Sequence, residues 1–182
     1  MDRRKINTRR DINLAFEDLL KTKSYADITI QEILDNALIS RSTFYEYYKT
    51  KDALLNDFCE RMFHHVFENH STSEQGHDFS MYSGEDFLAE ITHIFYHVKE
   101  DLEFFPGLIS PDSIEIFLKF VRTNFATFLE ERIKETNNGI PLSYRITYIA
   151  GGLVETINWW INDKFKTSPE NLAKFYFSFL DI

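Results

Sequence analysis

The chain is poor in cysteine, in long apolar runs and in net positive charge. Its 182 residues include a single cysteine, Cys59, so no disulfide can form within the chain and a zinc site made of thiolates is not expected. Cys59 stands in an apolar helical pattern, and we expect it to be inert packing. The sequence has no G-x-S-x-G, phosphate-binding glycine loop, H-E-x-x-H or plausible pair of cysteine and histidine nucleophiles. We therefore predict that the protein is not an enzyme.

Long apolar segments are also missing. No stretch approaches the roughly 20 apolar residues that a membrane-spanning helix requires. The first ten residues, MDRRKINTRR, are charged where a secretory signal would be apolar. Apolar residues make up 43% of the chain and charged residues 27%, which is typical of globular proteins. We expect a cytoplasmic protein with no membrane partner.

The net charge of −9 argues at first against nucleic acid as a partner, because Lys and Arg drive phosphate binding. The distribution of charge changes that interpretation. Residues 1–55 carry ten basic and nine acidic side chains, whereas residues 56–182 carry ten and twenty. A basic N-terminal arm on a nearly neutral segment, followed by an acidic body, indicates that one end of the molecule contacts DNA.

Apolar residues recur every three or four positions along most of the chain, and strand signals are scarce. This pattern predicts an all-α protein of about nine helices. The polar stretch at 71–83 is expected to be a loop. Ser110-Pro111 and Ser168-Pro169 indicate two later helix starts, because proline favours the first helical position.

Segment 29–51, TIQEILDNALISRSTFYEYYKTK, has the order expected of a helix-turn-helix unit. Thr29 and Glu32 have the spacing of a capping box, which starts a short helix with an apolar inner face. Ser40 can cap a second short helix, and Thr50 can cap the longer helix that follows. Two short helices held together and flanked by basic residues are what entry into the major groove requires.

The second short helix has two distinct faces. Phe44 and Tyr48 lie one turn apart and are expected in the core. Arg41 is the best candidate for a guanine edge, because a guanidinium can bind two acceptors and discriminate by roughly 1–3 kcal/mol. Ser42 and Thr43 are expected to add base contacts.

Phosphate contacts are expected around this helix from hydroxyl groups, ammonium groups and helix N-termini. The basic arm can reach the DNA backbone or an adjacent minor groove. The residues predicted to contact phosphate are Thr29, Ser40, Tyr45, Tyr47, Lys49, Thr50, Lys51, Arg3, Arg4 and Lys5.

Many positions of the first 55 residues carry a resemblance to a known family. They are Thr8, Arg9, Ile12, Ala15, Phe16, Leu19, Leu20, Tyr25, Thr29, Ile30, Ile33, Ala37, Ser40, Thr43, Phe44, Tyr45, Tyr48, Lys51, Leu54 and Leu55. Together they resemble the DNA-binding domain of TetR-family transcriptional regulators. The sequence departs from the family pattern at Leu38, in the turn between the two short helices, and near Lys23, where the family usually has glycine.

This resemblance implies a DNA-binding domain at 1–50 and a regulatory and dimerisation domain at 51–182, with a helix at 51–70 connecting the two. It also implies that the helix at 40–47 enters the major groove, and that a homodimer places two such helices on a palindromic operator. We therefore expect a sequence-specific regulator, namely a repressor released by a small-molecule effector.

The acidic body is rich in aromatic residues, since sixteen of the eighteen phenylalanines follow residue 55. Most are expected in the core. The last two helices are our candidate for a symmetric four-helix dimer interface, where Gly151-Gly152 permits close approach. They also resemble, less specifically, a Firmicute-type branch of the family. The predicted interface residues are Ala150, Gly151, Val154, Trp160, Phe175, Tyr176 and Phe179.

The family resemblance also implies an effector pocket inside the body. Its aromatic lining favours an apolar or aromatic ligand. The residues predicted to line it are Phe87, Ile91, Phe95, Phe117, Val121 and Phe125.

Two other interpretations stay open. Glu90, His93 and His97 share one helical face and could hold a divalent metal, but no second helix supplies the matching ligands, so we expect no metal and no cofactor. The acidic total charge, Leu38 and Glu46 fit an all-α protein-interaction module with weakened DNA binding. Selection of a preferred DNA sequence distinguishes this module from a regulator.

Overall fold

The computed structural model describes residues 3–68, 73–74, 77–78, 87–134 and 139–180, with side chains described for 6–62, 87–134 and 139–180. Its α-helices are α1 (Arg3–Leu20), α2 (Ile30–Ala37), α3 (Arg41–Tyr47), α4 (Lys51–Glu68), α5 (Phe87–Phe104), α6 (Pro111–Glu130), α7 (Leu142–Asn162) and α8 (Pro169–Ser178). Two short 3-10 helices lie at Tyr25–Asp27 and Pro106–Leu108. The all-α prediction is confirmed, with eight α-helices in these ranges where the sequence indicated about nine.

A two-residue antiparallel pair falls within the segment predicted to be a loop. Its strands are β1 (Ser73–Glu74) and β2 (His77–Asp78), with Ser73 opposite Asp78 and Glu74 opposite His77. The other residues of 71–83 lie outside the described ranges. The pair is too short to alter the helical class of the protein.

The chain divides into two compact units. The first comprises Met1–Met62 and Asp101–Phe117, and the second comprises Phe63–Glu100 and Leu118–Ile182. The first two-thirds of α4 therefore belongs with α1, α2 and α3, whereas α5 and α6 contribute residues to both units. The functional division at residue 50 stays a prediction.

Aromatic rings form the centre of the first unit. The Phe16 ring meets the rings of Tyr25 and Phe58 edge to face, with centroids 6.2 and 6.0 Å apart. Phe58 also meets Phe105 at 4.9 Å. Pairs of this kind contribute about 0.5–1.5 kcal/mol each beyond the area that they bury. They fix α4 against α1, and α4 carries the C-terminal end of the helix-turn-helix segment.

Gly107 allows the 3-10 helix Pro106–Leu108 to approach the C-terminal end of α1. A Cβ atom at this position would lie 2.1 Å from the carbonyl oxygen of Lys23 and 2.6 Å from that of Leu20. Both distances are well below van der Waals contact, and both involve backbone atoms. Only glycine fits without displacing one of the two segments.

The second unit has its core among α5, α6, α7 and α8. Trp160 is fully buried, and its indole N–H donates to the carbonyl oxygen of Thr167 at 2.7 Å. The Tyr176 hydroxyl donates to the carbonyl oxygen of Ile149, also at 2.7 Å. These bonds satisfy the polar ends of two large buried rings, as burial requires. They also fix α8 on α7.

Cys59 lies fully buried in α4. Burial raises the pKa of its thiol to about 12, so the reactive thiolate is not populated at neutral pH. This placement agrees with the predicted packing role. No helix within the described ranges is both long enough and apolar enough to cross a membrane.

Candidate nucleic-acid interface

The capping box predicted at the start of α2 is present. The Glu32 amide donates to the Thr29 hydroxyl at 3.2 Å, and the Thr29 amide donates to the Glu32 carboxylate at 2.9 Å. Lys23 pairs with the same carboxylate. Hydrogen bonds from Lys23 and then from Thr29 lower the pKa of Glu32 to about 2. The first turn of α2 is therefore fixed by a carboxylate that stays ionised at neutral pH.

The turn between α2 and α3 adopts the geometry that usually calls for glycine. Leu38 has φ 54° and ψ 43°, and its side chain is 91% exposed. The amides of Leu38 and Ile39 both donate to the carbonyl oxygen of Leu34, which closes the end of α2. Leucine thus occupies a left-handed conformation with no compensating burial. The departure from the family pattern costs conformational energy but leaves the turn intact.

The two faces of α3 follow the predicted division. Phe44 is fully buried and Tyr48 is 5% exposed, as expected of core positions. Arg41 and Ser42 are exposed at the opposite side. The Ser40 hydroxyl accepts a hydrogen bond from the Thr43 amide at 3.2 Å, so the predicted cap is confirmed.

The Arg41 side chain is held beside α2. Its Nη2 atom donates to Gln31 Oε1 at 3.2 Å. A guanidinium has five N–H donors, so this bond leaves donors for other acceptors. Gln31 was not among the predicted site residues, because its sequence position gives no sign of a contact ten residues away.

The residues around α3 that were predicted to contact phosphate differ in their orientation. Tyr45 and Lys49 are exposed, and Lys49 Nζ donates to the carbonyl oxygen of Tyr45 at 3.2 Å. Tyr47 is partly exposed. The Thr50 hydroxyl caps α4 by accepting from the Ala53 amide at 3.0 Å. The side chains of Arg3, Arg4 and Lys5 lie outside the described part of the chain.

Lys51 points into the first unit. Its Nζ atom donates to the carbonyl oxygens of Tyr25 and Ile28, each at 2.7 Å, and lies 4.1 Å from the centre of the Tyr25 ring. Burial lowers the pKa of Lys51 despite nearby carboxylates. The sequence indicated a phosphate contact, whereas these bonds hold the 3-10 helix Tyr25–Asp27 against the start of α4. Lys51 therefore stabilises the helix-turn-helix unit through contacts inside the first unit.

The predicted pocket residues are core residues in the structure. Ile91, Phe95, Val121 and Phe125 are fully buried in the second unit, and Phe87 is half-buried there. Phe117 is fully buried in the first unit. Their side chains supply an apolar interior, and the effector pocket stays a prediction.

The predicted dimer residues separate into two groups. Ala150, Val154, Trp160 and Tyr176 are buried within the chain's own core, which leaves little of their surface for a partner. Phe175 and Phe179 are 53% and 82% exposed, and Gly151 is partly exposed. Burial of α8 on α7 thus uses the first group and leaves the second at the surface.

An apolar groove of about 660 Å³ runs along this exposed surface. It includes side chains that the sequence did not single out, notably Trp159, which is 50% exposed, and Tyr148, which is 64% exposed. The groove is lined by Thr147, Tyr148, Gly151, Gly152, Glu155, Thr156, Trp159, Leu172, Phe175, Tyr176, Phe179 and Leu180. We call this surface the α7/α8 groove.

The candidate metal ligands on α5 are held by different partners. Arg132 donates to the Glu90 carboxylate at 2.9 Å, and Glu90 is the one carboxylate among the three candidate ligands. The Nε2 atoms of His93 and His97 face each other at 2.8 Å. No group of three metal-ligating side chains occurs among the residues that the structure describes.

These features define a helix-turn-helix DNA-binding protein with a second helical unit. Residues 15–58 match the family described as bacterial regulatory proteins, tetR family, and residues 85–181 match a transcriptional regulator C-terminal region. The second match covers more than half of the chain. The chain therefore belongs to the TetR family of transcriptional regulators, whose members bind DNA and are not enzymes.

Known proteins are similar over different lengths. A crystal structure of a TetR transcriptional regulator from Streptococcus agalactiae 2603V has 28% identity and a TM-score of 0.68, covering 100% of this chain and 97% of that one. The HTH-type regulator YxbF of Bacillus subtilis (strain 168) is 34% identical over 90 residues, 49% of this chain and 24% of that protein. The dhaKLM operon activator DhaS of Lactococcus lactis subsp. lactis (strain IL1403) is 36% identical over 63 residues, 32% of this chain and 34% of that protein. The matches to the two curated relatives thus span about a quarter and a third of their lengths.

Proposed function

We propose that the protein is a homodimeric repressor that binds a palindromic DNA operator and is released by a small apolar or aromatic effector. The observation that carries this proposal is the placement of Arg41 and Ser42. They stand exposed on a seven-residue helix. Its other side is fixed by buried Phe44, and its N-terminus is capped by Ser40. A short helix presented in this way fits the major groove.

Arg41 is proposed to bind a guanine edge. Its bond to Gln31 restrains the guanidinium while leaving donors for the N7 and O6 acceptors of guanine. Ser42 and Thr43 follow on the same turn and are proposed to make the neighbouring base contacts. Restraint of a long side chain before binding lowers the entropic cost of the contact.

Phosphates are proposed to bind on either side of α3. Tyr45, Tyr47 and Lys49 supply side-chain donors, and the capped N-termini of α2 at Thr29 and of α4 at Thr50 supply the positive ends of helix dipoles. Arg3, Arg4 and Lys5 are proposed to add further phosphate contacts. These contacts position the helix and carry no sequence information themselves.

The α7/α8 groove is proposed to bind the same groove of a second copy. Large exposed aromatic side chains with little polar surface are typical of interfaces between identical subunits. A two-fold axis would bring Trp159, Phe175 and Phe179 of both copies together as a four-helix bundle. This arrangement buries side chains whose exposure is costly in a monomer.

The effector is proposed to bind in the aromatic interior of the second unit. Phe87, Phe95, Phe125 and Val121 give that interior an apolar lining, which favours an apolar or aromatic molecule. Release from DNA requires that the effector bind the DNA-free state more tightly than the DNA-bound state.

Selection of duplexes from a random-sequence library tests the proposal. The purified protein should enrich one palindrome, and affinity for it should fall steeply with salt, with a slope of about −0.9 per phosphate contacted. Arg41→Ala should lower the preference for each half-site of that palindrome by about 5- to 150-fold, the range that one bidentate contact provides. Arg122→Ala removes the same charge from an exposed position of α6 and should leave the preference unchanged.

The outcome that contradicts the proposal is an absence of any enriched sequence at low salt. The all-α interaction module is then the better interpretation, favoured by the inward direction of Lys51 and the exposed Glu46 on α3. A pull-down with the Arg41→Ala variant would retain the partner of such a module.

A second candidate function is transcriptional activation, which the similarity to the activator DhaS favours. Both signs of regulation use the same DNA contacts. A reporter placed downstream of the selected palindrome distinguishes them, since a repressor lowers its expression and an activator raises it.

A further inference from the structure

A buried carboxylate joins three helices of the DNA-binding unit. Asp57 of α4 has a side chain that is only 10% exposed. Its Oδ2 atom accepts a hydrogen bond from the Tyr48 hydroxyl at 2.8 Å, and its Oδ1 atom pairs with the Arg9 guanidinium from α1. The Asn13 side-chain amide, also from α1, lies 3.4 Å from Oδ2. One side chain therefore connects α1, α4 and the residue that ends α3.

The Tyr48 hydroxyl is both a hydrogen-bond donor and a hydrogen-bond acceptor. It donates to Asp57 and accepts a bond from Arg9 Nε at 3.3 Å, while Asn13 Oδ1 lies 3.1 Å away. Tyr48 is the C-terminal cap of α3 and has an extended backbone, so its side chain bonds hold the chain directly after the last residue of the helix. Arg61 completes the cluster by contacting Asp57 Oδ2 at 3.4 Å and Glu17 at 2.9 Å.

Directional bonds are needed here because α3 has only seven residues. A helix of two turns has little stability of its own and takes its orientation from its contacts. Phe44 provides apolar burial, but apolar contact is non-directional and sets the rotation of the helix about its axis less sharply than a hydrogen bond does. The bond between Tyr48 and Asp57 is directional, and its acceptor is charged, which makes it stronger than a neutral one.

We propose that Asp57 is a positioning residue for DNA recognition: through Tyr48 and Arg9 it sets the orientation of α3 relative to α1 without itself contacting DNA. This inference rests on the proposed DNA-binding function. Burial opposes the charge on Asp57, but hydrogen bonds from Tyr48 and Arg9 keep its pKa below the ordinary value, so the carboxylate is ionised at neutral pH.

A phosphate-contacting residue would change the affinity for the selected palindrome and the affinity for random DNA together, whereas a positioning residue changes only the first. Loss of orientation lowers affinity for the selected palindrome, because base contacts need a fixed geometry. It leaves affinity for random DNA and the salt slope unchanged, because no phosphate contact is removed. Asp57→Asn and Tyr48→Phe should each lower the ratio of specific to random affinity by about tenfold for each half-site, since one charged hydrogen bond is lost in each subunit.

The double variant Asp57→Asn/Tyr48→Phe tests whether the two residues act through one bond. Its specificity ratio should fall no further than that of either single variant, since residues in one network are not additive. Glu60→Gln removes the same charge from an exposed position of α4 and should leave the ratio unchanged. Leu153→Ala destabilises the second unit through its buried core and controls for loss of stability alone.

Amide hydrogen exchange provides a measurement that does not need DNA. In Tyr48→Phe, amides of α3 should exchange about tenfold faster, whereas those of α7 should keep their wild-type rates. An unchanged α3 in both variants overturns the proposal, as does a specificity ratio equal to that of the wild type in variants that remain folded. A reduced salt slope would also overturn the proposal, because it would show that the substitution removes a phosphate contact. If the wild type selects no sequence while α3 responds as expected, the proposed DNA-binding function fails, and only the orientation of α3 by Asp57 stands.

Discussion

The Lys51 ammonium nitrogen lies 2.7 Å from the carbonyl oxygen of Ile28, and at the same distance from that of Tyr25. Both carbonyls belong to the segment between α1 and α2, and Lys51 begins α4. A lysine at the edge of the proposed DNA surface is thereby directed into the fold. Replacement of Lys51 should therefore lower stability, whereas replacement of its neighbour Lys49 should weaken DNA binding.

Lys51→Met should lower the free energy of unfolding by about 2 kcal/mol, because two buried carbonyls lose a charged donor. It should leave the salt slope of DNA binding unchanged. Lys49→Met should barely alter stability, since Lys49 is exposed, but should reduce the slope by about 0.9 for each subunit on the DNA. Urea denaturation and salt titration measure the two effects. A reduced slope for Lys51→Met would place Lys51 on a phosphate.

Leu38→Gly should stabilise the protein. The position requires φ 54°, which glycine adopts without steric cost, and the leucine side chain is 91% exposed. We expect a gain of about 0.5–1 kcal/mol in urea denaturation, after the greater unfolded-state entropy of glycine is subtracted. Leu38→Ala keeps a Cβ atom and should be close to neutral. Equal stabilisation by alanine would show that the exposed side chain, and not the backbone, sets the energy.

Gly107→Ala should destabilise the first unit by about 2 kcal/mol or more, because its Cβ atom would lie 2.1 Å from a backbone oxygen. Gly151→Ala is the matched control, since a Cβ atom there meets open space within a helix. In a Phe179→Glu background, which removes the proposed α7/α8 interface, that variant should gain up to about 1 kcal/mol from helix propensity. Thermal unfolding followed by circular dichroism compares the two variants, and similar effects at both positions would contradict the close approach at Gly107.

Phe179→Glu should convert the proposed dimer to monomers. Phe179 is 82% exposed in the α7/α8 groove, so a charge there costs nothing in a monomer but would be buried without a partner in a symmetric pair. Sedimentation equilibrium should show the monomer mass with helical content preserved. Phe104→Glu alters a 60% exposed phenylalanine of the first unit and should remain dimeric. If the Phe179→Glu protein remained dimeric, the dimer interface would lie on another surface.

The pH dependence of stability should reflect Glu32. Its pKa is lowered from 4.5 to about 2 in the folded chain, so its contribution is complete above pH 4.5 and is lost as the pH falls toward 2. Glu32→Gln keeps the capping geometry but cannot titrate. The difference in unfolding free energy between wild type and this variant should shrink between pH 5 and pH 2. Asp35→Asn, at an exposed position of α2, should show no such narrowing.

Contacts within one turn of helix were predictable from the sequence. The caps by Thr29, Ser40 and Ser168 join atoms three residues apart, so residue type and spacing nearly fix them. The burial of Phe44 and Tyr48 follows from helical period in the same way. The family resemblance depended on these local positions, which is why it located the DNA-binding unit.

Helical period places adjacent residues on different faces, but it does not tell which face is left for a partner. Trp159 and Trp160 have equal hydrophobicity, yet one is half exposed and the other is fully buried. About 100° of helical rotation separates them, and the placement of α8 decides which of the two faces the core. Trp160 is the tryptophan predicted at the dimer interface, whereas Trp159 is the one exposed in the α7/α8 groove.

The sequence by itself determined the helical class, the starts of α2, α3, α4, α6 and α8, and the polar turn of α3, because each depends on neighbours in the chain. Only the tertiary structure decided where the long charged side chains point. Lys51 meets carbonyls more than twenty residues earlier, and Asp57 meets Arg9 across 48 residues. Such partners are chosen by the packing of α1, α3 and α4, and flexible side chains follow whichever acceptor that packing brings within reach.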